Sequence, residues 1–430
     1  MKKIVTVLLT LVLLCSFFAA VPAAADNDTS KWVSAWSTSP IDASLSEIGA
    51  LSGISVPVIN VSSRVIIRPT MSGDQVRLVF SNEHSKYPLT ISECSVGRSA
   101  SSGASVVSGT LRTIKFNGRV CVTIPARGRV TSDPLSISVK AGEPLAVTTY
   151  YRGISAMRTI GLIGGQSYVA VGNWTRIPSM VPALPLNFTM DSGAYDIIPA
   201  LKEVDVHTSN PGAGVCVVFG DSTVANEIPR MLATRLRANG ITNVSVTQAA
   251  IKGNRLSYDG VGKIATITGR AGINRYMIDV LDQPGVTSVI VKLGVNDVIH
   301  PQLNSKKGVA PYASFEQMTT DYTTLVDMAH RRGVKVYFAE LTPWKGYTRN
   351  LFGIMGDDIV WTPEADALRV QLNEWMRSDA CPADGVVFFP EVADPADATA
   401  LAAGYTTDGI HFTDAGAQLV ANAIPLEWFR

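Results

Sequence analysis

The spacing of the apolar residues changes near Pro211, and this change limits the folds open to the chain. Before Pro211, short segments rich in Val, Ile and Thr, among them SRVIIRPT, DQVRLVFS and PLAVTTYY, are separated by Gly, Asn, Ser and Pro. This pattern predicts short antiparallel strands in a β-sandwich-like domain. After Pro211, apolar strands alternate with segments whose apolar residues recur every three to four positions, which predicts a doubly wound α/β domain.

Five strands are predicted after Pro211, in the stretches VCVVF, VSVTQ, VTSVIVKLG, VKVYFAEL and GVVFF. With helices between them, they predict a parallel, flavodoxin-like sheet covered on both faces. We therefore place a β-rich accessory domain at 26–206, a linker at 207–213 and the α/β domain at 214–430. Sheets of this kind bind their ligands beyond the carboxyl ends of the strands.

The first residues, MKKIVTVLLTLVLLCSFFAAVPAAADND, combine two lysines, an apolar run and an Ala-x-Ala end. This arrangement is typical of a secretory signal peptide, here at 1–25. Cys15 would suit lipid attachment, but the bulky Leu14 before it argues against that site. No second long apolar segment follows, so we expect a secreted, extracellular protein without a transmembrane anchor.

Charge and cysteine usage exclude several classes of function. A net charge of +1 without basic clusters argues against a nucleic-acid partner. The chain has no Cys-x-x-Cys pair and no His-Glu-x-x-His segment, so we predict no metal site. Cys94 and Cys121 are the more plausible disulfide pair, although the sequence does not choose among the possible pairings of the four cysteines that follow the signal peptide, which are Cys94, Cys121, Cys216 and Cys381.

The triplet Gly-Asp-Ser directly follows the first α/β strand, in VCVVFGDST. Asp221 and Ser222 are both favoured helix N-caps, so a plain structural role is one interpretation. The other is that Ser222 is a nucleophile at the edge of the sheet, which requires a neighbouring base to take its proton.

His411 is the best candidate for that base among five histidines. It follows Asp408 by three positions in TTDGIH, so the carboxylate is able to hold the imidazole in one tautomer. The alternative is an ordinary loop at Asp408, with Asp414 as the cap of the next helix. The other histidines lie in less suitable settings, namely His84, His207, His300 and His330.

An oxyanion hole needs hydrogen-bond donors at the same edge of the sheet. Gly253 and Asn254 follow the second α/β strand, and Asn296 follows the third. The backbone amide of Ser222 would be a further donor. Turn formation alone would also favour Gly and Asn at these positions.

In these four blocks the chain resembles the SGNH, or GDSL, hydrolase superfamily. The blocks are Ser222 in FGDST, Gly253 in IKGNRL, Asn296 in GVND and His411 in DGIH. WVSAWSTSP, VRLVFSNE and LTPWKGY are similar to stretches of secreted acetylxylan-esterase-like acylhydrolases, in which a β-rich region precedes the hydrolase domain. Phe412 departs from that group, which has proline after the histidine.

The resemblance implies a serine esterase that needs neither a metal nor an organic cofactor. Ser222 would be the nucleophile, His411 the general base and Asp408 its orienting partner. Ser222, Gly253 and Asn296 would form the oxyanion hole. The expected substrates are short-chain acyl esters, foremost acetyl esters on polysaccharides such as acetylated xylan.

Three further residues are candidates for substrate contact, namely Asn254, Trp344 and Tyr405, with loop packing as the alternative for the two aromatic side chains. Two other functions remain open. One is a general short-chain esterase acting on aryl or lipid esters, and the other is a catalytically inert, secreted carbohydrate-binding module. For the β-rich half we expect a structural role, covering one side of the hydrolase domain.

Overall fold

The computed structural model describes residues 31–43, 56–100, 103–153, 155–190, 193–225, 227–260, 265–302, 311–348 and 359–430. The signal peptide predicted at 1–25 lies outside these residues. Within them, no helix combines the length and the apolar character needed to cross a bilayer.

The described part of the N-terminal half forms strands that pair in antiparallel sheets. In chain order the strands are β1 (Lys31–Ser37), β2 (Ile41–Asp42), β3 (Val56–Val58), β4 (Val61–Ile67), β5 (Gly73–Ser81), β6 (Leu89–Ile91), β7 (Glu93–Arg98), β8 (Arg112–Ile114), β9 (Val122–Ile124), β10 (Arg129–Thr131), β11 (Leu135–Val139), β12 (Leu145–Tyr151), β13 (Ser155–Met157), β14 (Thr159–Gly161), β15 (Gln166–Val171), β16 (Leu184–Pro185), β17 (Asn187–Met190), β18 (Gly193–Asp196), β19 (Ile198–Pro199) and β20 (Leu201–Thr208).

Two large sheets dominate this half. One has the order β16-β15-β4-β12-β7-β8, and the other has the order β1-β20-β5-β10 with β11 also pairing with β5. Alternate residues of β5, such as Val76 and Leu78, are fully buried and belong to the same apolar cluster as Val65 and Ile67 of β4. The two sheets thus share one core, and the predicted β-rich, antiparallel region is confirmed.

The C-terminal half contains a five-stranded parallel sheet with the order β22-β21-β23-β24-β25. Its strands are β21 (Gly214–Gly220), β22 (Val244–Ala250), β23 (Val286–Lys292), β24 (Lys335–Ala339) and β25 (Gly385–Val387), followed by a short hairpin of β26 (Ala393–Asp394) and β27 (Asp397–Leu401). This order is that of a flavodoxin-like, doubly wound sheet, so the predicted fold is confirmed.

Seven α-helices in the described residues accompany this sheet. They are α1 (Glu227–Ala238), α2 (Ala265–Thr268), α3 (Gly272–Tyr276), α4 (Val295–Ile299), α5 (Phe315–His330), α6 (Pro363–Met376) and α7 (Asp414–Ala423). A π-helical turn, Met277–Leu281, continues α3, and single 3-10 turns occur at His300–Gln302, Pro390–Val392 and Leu426–Phe429.

Strand β21 is apolar throughout because helices cover both faces of the sheet. Val217 and Phe219 belong to the apolar cluster that also contains α3 and α5 residues. Cys216 and Val218 point to the opposite face and pack with residues of α1 and α7. The run VCVVF is therefore a central strand, as its composition indicates.

The β-rich half packs along β22, the edge strand of the parallel sheet. Thr70 Oγ1 accepts a hydrogen bond from the Val246 amide and lies 3.0 Å from the carbonyl oxygen of the same residue. Ser37 Oγ donates to the Gln248 carbonyl at 2.8 Å. These contacts satisfy backbone groups of an edge that would otherwise be open to pairing with another chain. The predicted domain boundaries stay predictions.

Two helix starts differ from the sequence-based predictions. The α1 helix begins at Glu227, so Asp221 and Ser222 precede it in a turn and do not cap it. At α7 the N-cap is Thr413, whose hydroxyl accepts a hydrogen bond from Gly416, and Asp414 is the first helical residue. Both corrections concern short polar residues, which suit turns and caps equally well.

The four described cysteines are unpaired in the structure. Cys94 is buried on β7 while Cys121 is exposed, so the disulfide suggested between them is not formed. Burial raises the pKa of Cys94 and of Cys216 to about 12, although nearby hydrogen bonds oppose the shift. Both are therefore inert, apolar thiols at neutral pH.

Candidate active site

The polar residues predicted for the site follow three adjacent strands. Ser222 comes after β21, Gly253 after β22, and Asn296 lies in α4 directly after β23. Strand β21 lies between β22 and β23, and the helices that follow β21 and β23 pack on opposite faces of the sheet. Ligand sites in open α/β sheets lie at such a switch point.

Ser222, His411 and Asp408 form a continuous row of hydrogen bonds. Ser222 Oγ lies 2.8 Å from His411 Nε2, and His411 Nδ1 lies 2.6 Å from Asp408 Oδ2. The other carboxylate oxygen of Asp408 accepts hydrogen bonds from the amides of Ile410, at 3.1 Å, and His411, at 2.9 Å. The ring of Tyr347 meets the imidazole edge-on, with ring centroids 5.9 Å apart.

The charge on Asp408 determines which ring nitrogen carries the proton. Burial raises the pKa of Asp408, but the hydrogen bond and charge of His411 and two backbone amides outweigh it and hold that pKa at about 2. An ionised carboxylate only accepts hydrogen bonds, so Nδ1 of His411 is the donor. Nε2 of the neutral ring then faces Ser222 as an acceptor, which is the state needed to take a hydroxyl proton.

Two buried side chains of opposite charge, Asp221 and Lys292, hold the residues on either side of Ser222 through Thr223. Asp221 Oδ1 accepts hydrogen bonds from the Thr223 amide and hydroxyl, both at 2.8 Å. Lys292 Nζ, at the end of β23, donates to Thr223 Oγ1 at 2.8 Å. Asp221 and Lys292 are each 1 % exposed. Burial lowers the pKa of Lys292 to about 8 and raises that of Asp221, and the attraction between the two charges opposes both shifts.

The three predicted oxyanion donors, Ser222, Gly253 and Asn296, follow adjacent strands at the same end of the parallel sheet. Gly253 has a φ of +72°, a conformation that glycine adopts without strain. Within the described residues, no hydrogen bond from the Ser222 or Gly253 amide to the protein is present. Asn296 is buried, and its Nδ2 donates to the Asn254 carbonyl at 3.0 Å. A carboxamide carries a second N–H, which this bond leaves free.

Arg275 holds the loops that follow β21 and β22 through hydrogen bonds, and the sequence did not predict it. Its guanidinium donates to the carbonyls of Gly220, at 3.1 Å, and Ala249, at 2.9 Å, and to Asn254 Oδ1, at 2.9 Å. Asn254 in turn donates to the Thr268 carbonyl at 2.6 Å. Asn254 is 0 % exposed, so the prediction that it contacts substrate is wrong.

The two aromatic candidates for substrate contact differ in exposure. Trp344 is 0 % exposed within the apolar core, so its ring cannot stack on a sugar and that prediction is wrong. Tyr405 is half-buried and packs against the apolar cluster that contains α7 residues. Loop packing therefore accounts for Trp344, whereas the contact of Tyr405 with substrate stays a prediction.

A cavity of about 270 Å³ opens beside Ser222 and His411. Glu227 at the start of α1, Lys252 after β22 and Phe412 contribute to its wall. Tyr195, on β18 of the β-rich half, lines it as well. Lys252, Glu227 and Tyr195 were not predicted, because they carry no motif and their strands and helix meet only in the folded chain. In the described ranges, no group of three or more His, Cys, Asp or Glu side chains is arranged to hold a metal ion.

Residues 214–419 match the GDSL-like lipase/acylhydrolase family. This segment is a GDSL-family domain. The chain is accordingly a carboxylic ester hydrolase, which confirms the predicted enzyme class.

Solved structures similar to the GDSL domain cover about half of this chain. A GDSL-like lipase from Bacteroides thetaiotaomicron is 16 % identical, with 49 % of this chain and 84 % of that chain covered and a TM-score of 0.33. A psychrotrophic esterase from Pseudoalteromonas is 15 % identical, with 49 % and 93 % covered and a TM-score of 0.32. A mutant of an acetyl-xylooligosaccharide esterase from Geobacillus is 15 % identical, with 49 % and 91 % covered and a TM-score of 0.33. No curated protein matches the chain significantly.

Proposed function

We propose that this protein is a secreted serine esterase that removes short acyl groups, foremost acetyl, from polysaccharides such as acetylated xylan. The GDSL domain supplies the class of reaction. The observation that carries the serine mechanism is the row of hydrogen bonds from Ser222 through His411 to an ionised Asp408. Secretion rests on the sequence of the first 25 residues.

The first half of the reaction forms an acyl-enzyme. Ser222 Oγ attacks the carbonyl carbon of the ester while its proton passes to His411 Nε2, and Asp408 stabilises the imidazolium. Negative charge develops on the carbonyl oxygen and is held by the amides of Ser222 and Gly253 and the carboxamide of Asn296. The bond to the alcohol oxygen then breaks, and that oxygen takes the proton from His411.

The second half reverses these roles with water in place of the alcohol. His411 accepts a proton from water, and the resulting oxygen attacks the acyl carbon. The tetrahedral intermediate uses the same three donors. Its collapse returns the proton to Ser222 Oγ and releases the carboxylic acid, so no electron donor or acceptor is required.

The size of the cavity and the charges on its wall favour small, polar substrates. Its volume of about 270 Å³ is near the lower limit for sites that take small organic molecules. Lys252 and Glu227 place charges on its wall, which a long alkyl chain would leave without hydrogen-bond partners. An acetyl ester of a sugar suits such a cavity better than a lipid does.

The experiment that tests this function measures acetate released from acetylated xylan by the mature chain, with 4-nitrophenyl acetate in parallel. We expect release from both substrates, and a loss of about 10³-fold or more in Ser222→Ala, because the residues of a catalytic triad act as a unit. Activity on the small ester alone would favour a general short-chain esterase. No activity on either substrate would favour an inert binding module.

A further inference from the structure

The cavity beside Ser222 contains two charged side chains that the proposed reaction does not use. Lys252 is half-buried, and its Nζ lies 3.7 Å from the centre of the Tyr195 ring. Glu227 is also half-buried and lines the same cavity. Among the described residues, neither side chain has an ion-pair partner within 4.0 Å, and the Lys252 ammonium has no hydrogen bond.

Half-burying these two charges is costly, and the Tyr195 ring and their mutual attraction offset this cost only in part, as the pKa values of both groups show. Burial lowers the pKa of Lys252, and the charge of Glu227 opposes that shift. Burial raises the pKa of Glu227, with its own backbone amide, Arg230 and Lys252 opposing. A ligand that offers both a hydrogen-bond acceptor and a donor would stabilise both charged forms.

The pair of charges discriminates between classes of ligand. A carboxylate would suit Lys252 but would be repelled by Glu227 in the same cavity. An alkyl chain would remove water from both charges and replace none of their hydrogen bonds. A hydroxyl group both donates and accepts, so a neutral compound with several hydroxyls fits Lys252 and Glu227 together.

The position of the cavity indicates which part of the ester it receives. Ser222 and His411 both line the cavity, so it lies beside the ester bond, and in the proposed mechanism His411 passes its proton to the leaving alcohol. We infer that Lys252 and Glu227 bind hydroxyl groups of the sugar that leaves as the alcohol, and that the Tyr195 ring holds the Lys252 ammonium at the cavity wall. The inference rests on the proposed function, since it names a subsite for that substrate.

The β-rich half then has a role in specificity as well as in covering the sheet. Tyr195 lies on β18, which pairs with β17 in a hairpin of that half. Tyr195 is 2 % exposed and presents its ring to the ammonium. A cation over an aromatic face is attracted by the electron density of the ring and keeps its N–H groups free for a ligand.

The test compares kcat and KM on acetylated xylo-oligosaccharides and on 4-nitrophenyl acetate, whose leaving group has no sugar hydroxyls. For Lys252→Met and for Glu227→Gln we expect kcat/KM on the sugar ester to fall about tenfold or more, mainly through KM. On 4-nitrophenyl acetate the loss should be clearly smaller, because its leaving group enters the same cavity without sugar hydroxyls for these charged groups to bind. Tyr195→Leu should follow Lys252→Met, and Tyr195→Phe should keep the wild-type preference.

Lys86→Met is the matched control. Lys86 is exposed, its Nζ lies 5.4 Å from the centre of the Tyr87 ring, and neither residue lines the cavity, so we expect no change on either substrate. An equal loss on both substrates in Lys252→Met would mean that Lys252 acts through its neighbour Gly253, and would overturn the sugar subsite. So would a wild-type enzyme that hydrolyses 4-nitrophenyl acetate but not the sugar ester. Full activity in Ser222→Ala would instead overturn the serine mechanism itself.

Discussion

Asp408 and His411 lie on one short loop, and a single carboxylate orients both the ring and the backbone of His411. One oxygen of Asp408 binds Nδ1 and the other binds the amides of Ile410 and His411. The spacing of three residues makes this possible without a contribution from another element. The loop therefore holds the proposed base in one position before any substrate binds.

The low pKa of Asp408 predicts how its contribution to stability depends on pH. The pKa is about 2 in the folded chain and about 3.8 for an unperturbed aspartate, so the contribution is fully present above about pH 4 and is lost as the pH falls through 2. At neutral pH it amounts to about 2 kcal/mol. Asp408→Asn should be less stable than the wild type at pH 7, by denaturant unfolding, and the difference should shrink between pH 4 and pH 2. A difference that stays constant over that range would contradict the assignment.

Asn296→Ala tests the oxyanion role at the same scale. We expect kcat on 4-nitrophenyl acetate to fall on the order of 10²–10³-fold with little change in KM, because the carboxamide acts on charge that develops only in the transition state. Steady-state kinetics with a melting curve for each variant would measure this. Full activity in a folded Asn296→Ala variant would show that its side chain does not stabilise the oxyanion.

Single residues were predictable where a short motif carried them. Ser222, Asp408 and His411 stand in short motifs, and the structure joins them. Trp344 could not be placed from the sequence, because whether a loop aromatic is exposed depends on what folds over it. Lys252 lies beside Gly253 in the motif, yet its role depends on a tyrosine from the other half of the chain.

At the scale of elements, Lys292 connects two strand ends. Its side chain extends from the end of β23 to the turn after β21, where its ammonium donates a hydrogen bond to Thr223. The negative charge of Asp221 in the same turn stabilises the charged form of Lys292. The sequence shows only a lysine at the end of an apolar strand. Its importance follows from the adjacency of β21 and β23, which the strand pattern alone does not establish.

Lys292→Met should therefore affect both stability and turnover. Removing the ammonium takes away the charge that opposes the burial of Asp221 and the hydrogen bond to Thr223, so we expect a loss of stability of about 1–3 kcal/mol. We expect kcat on 4-nitrophenyl acetate to fall about tenfold or more, with KM nearly unchanged, because the displaced turn carries Ser222. The double variant Asp221→Asn/Lys292→Met should recover much of the lost stability in urea unfolding. If the double variant were less stable than Lys292→Met alone, the pairing of these two charges would be wrong.

The elements themselves were largely predictable, and their starts were not. The strands and long helices of the α/β half follow from apolar periodicity, as in α1 and α5. Capping of α1 by Asp221 and Ser222, one of the two interpretations of the triplet, rested on residue type alone, and the helix begins only at Glu227. The hydrogen bonds that Asp221 accepts from Thr223 form a local turn instead. Whether Asp221 caps the helix or forms this turn depends on its burial in the folded chain, which the sequence does not show.

At the scale of the whole molecule, a buried ion pair joins the two halves. Lys202 Nζ of β20 lies 2.7 Å from Asp279 of the π-helical turn, and both side chains are 3 % exposed. Arg275, which supports the Ser222 and Gly253 loops, also contacts Asp279, at 3.3 Å. Burial raises the pKa of Asp279, but Lys202 and Arg275 outweigh it and lower that pKa. The β-rich half is thus connected to the base of the candidate site.

Lys202→Met should destabilise the protein by about 3 kcal/mol, because Asp279 loses its nearest cation and keeps the longer contact with Arg275 and the hydrogen bond with Ser39. Lys335→Met is the matched control, since Lys335 pairs with Asp384 at 2.6 Å but its side chain is 64 % exposed. Exposed pairs contribute about 1 kcal/mol or less. Equal losses in the two variants, measured by urea unfolding, would contradict the view that this interface depends on the buried pair.

The most direct test of the central claim is covalent labelling of the proposed nucleophile. The mature chain would be incubated with an activated phosphonate ester, which mimics the tetrahedral intermediate, and the intact mass and peptide map would then be recorded. We predict one adduct per chain, located on Ser222, with a parallel loss of hydrolysis of 4-nitrophenyl acetate. An active enzyme that carries no adduct, or that carries it on another residue, would contradict the serine mechanism.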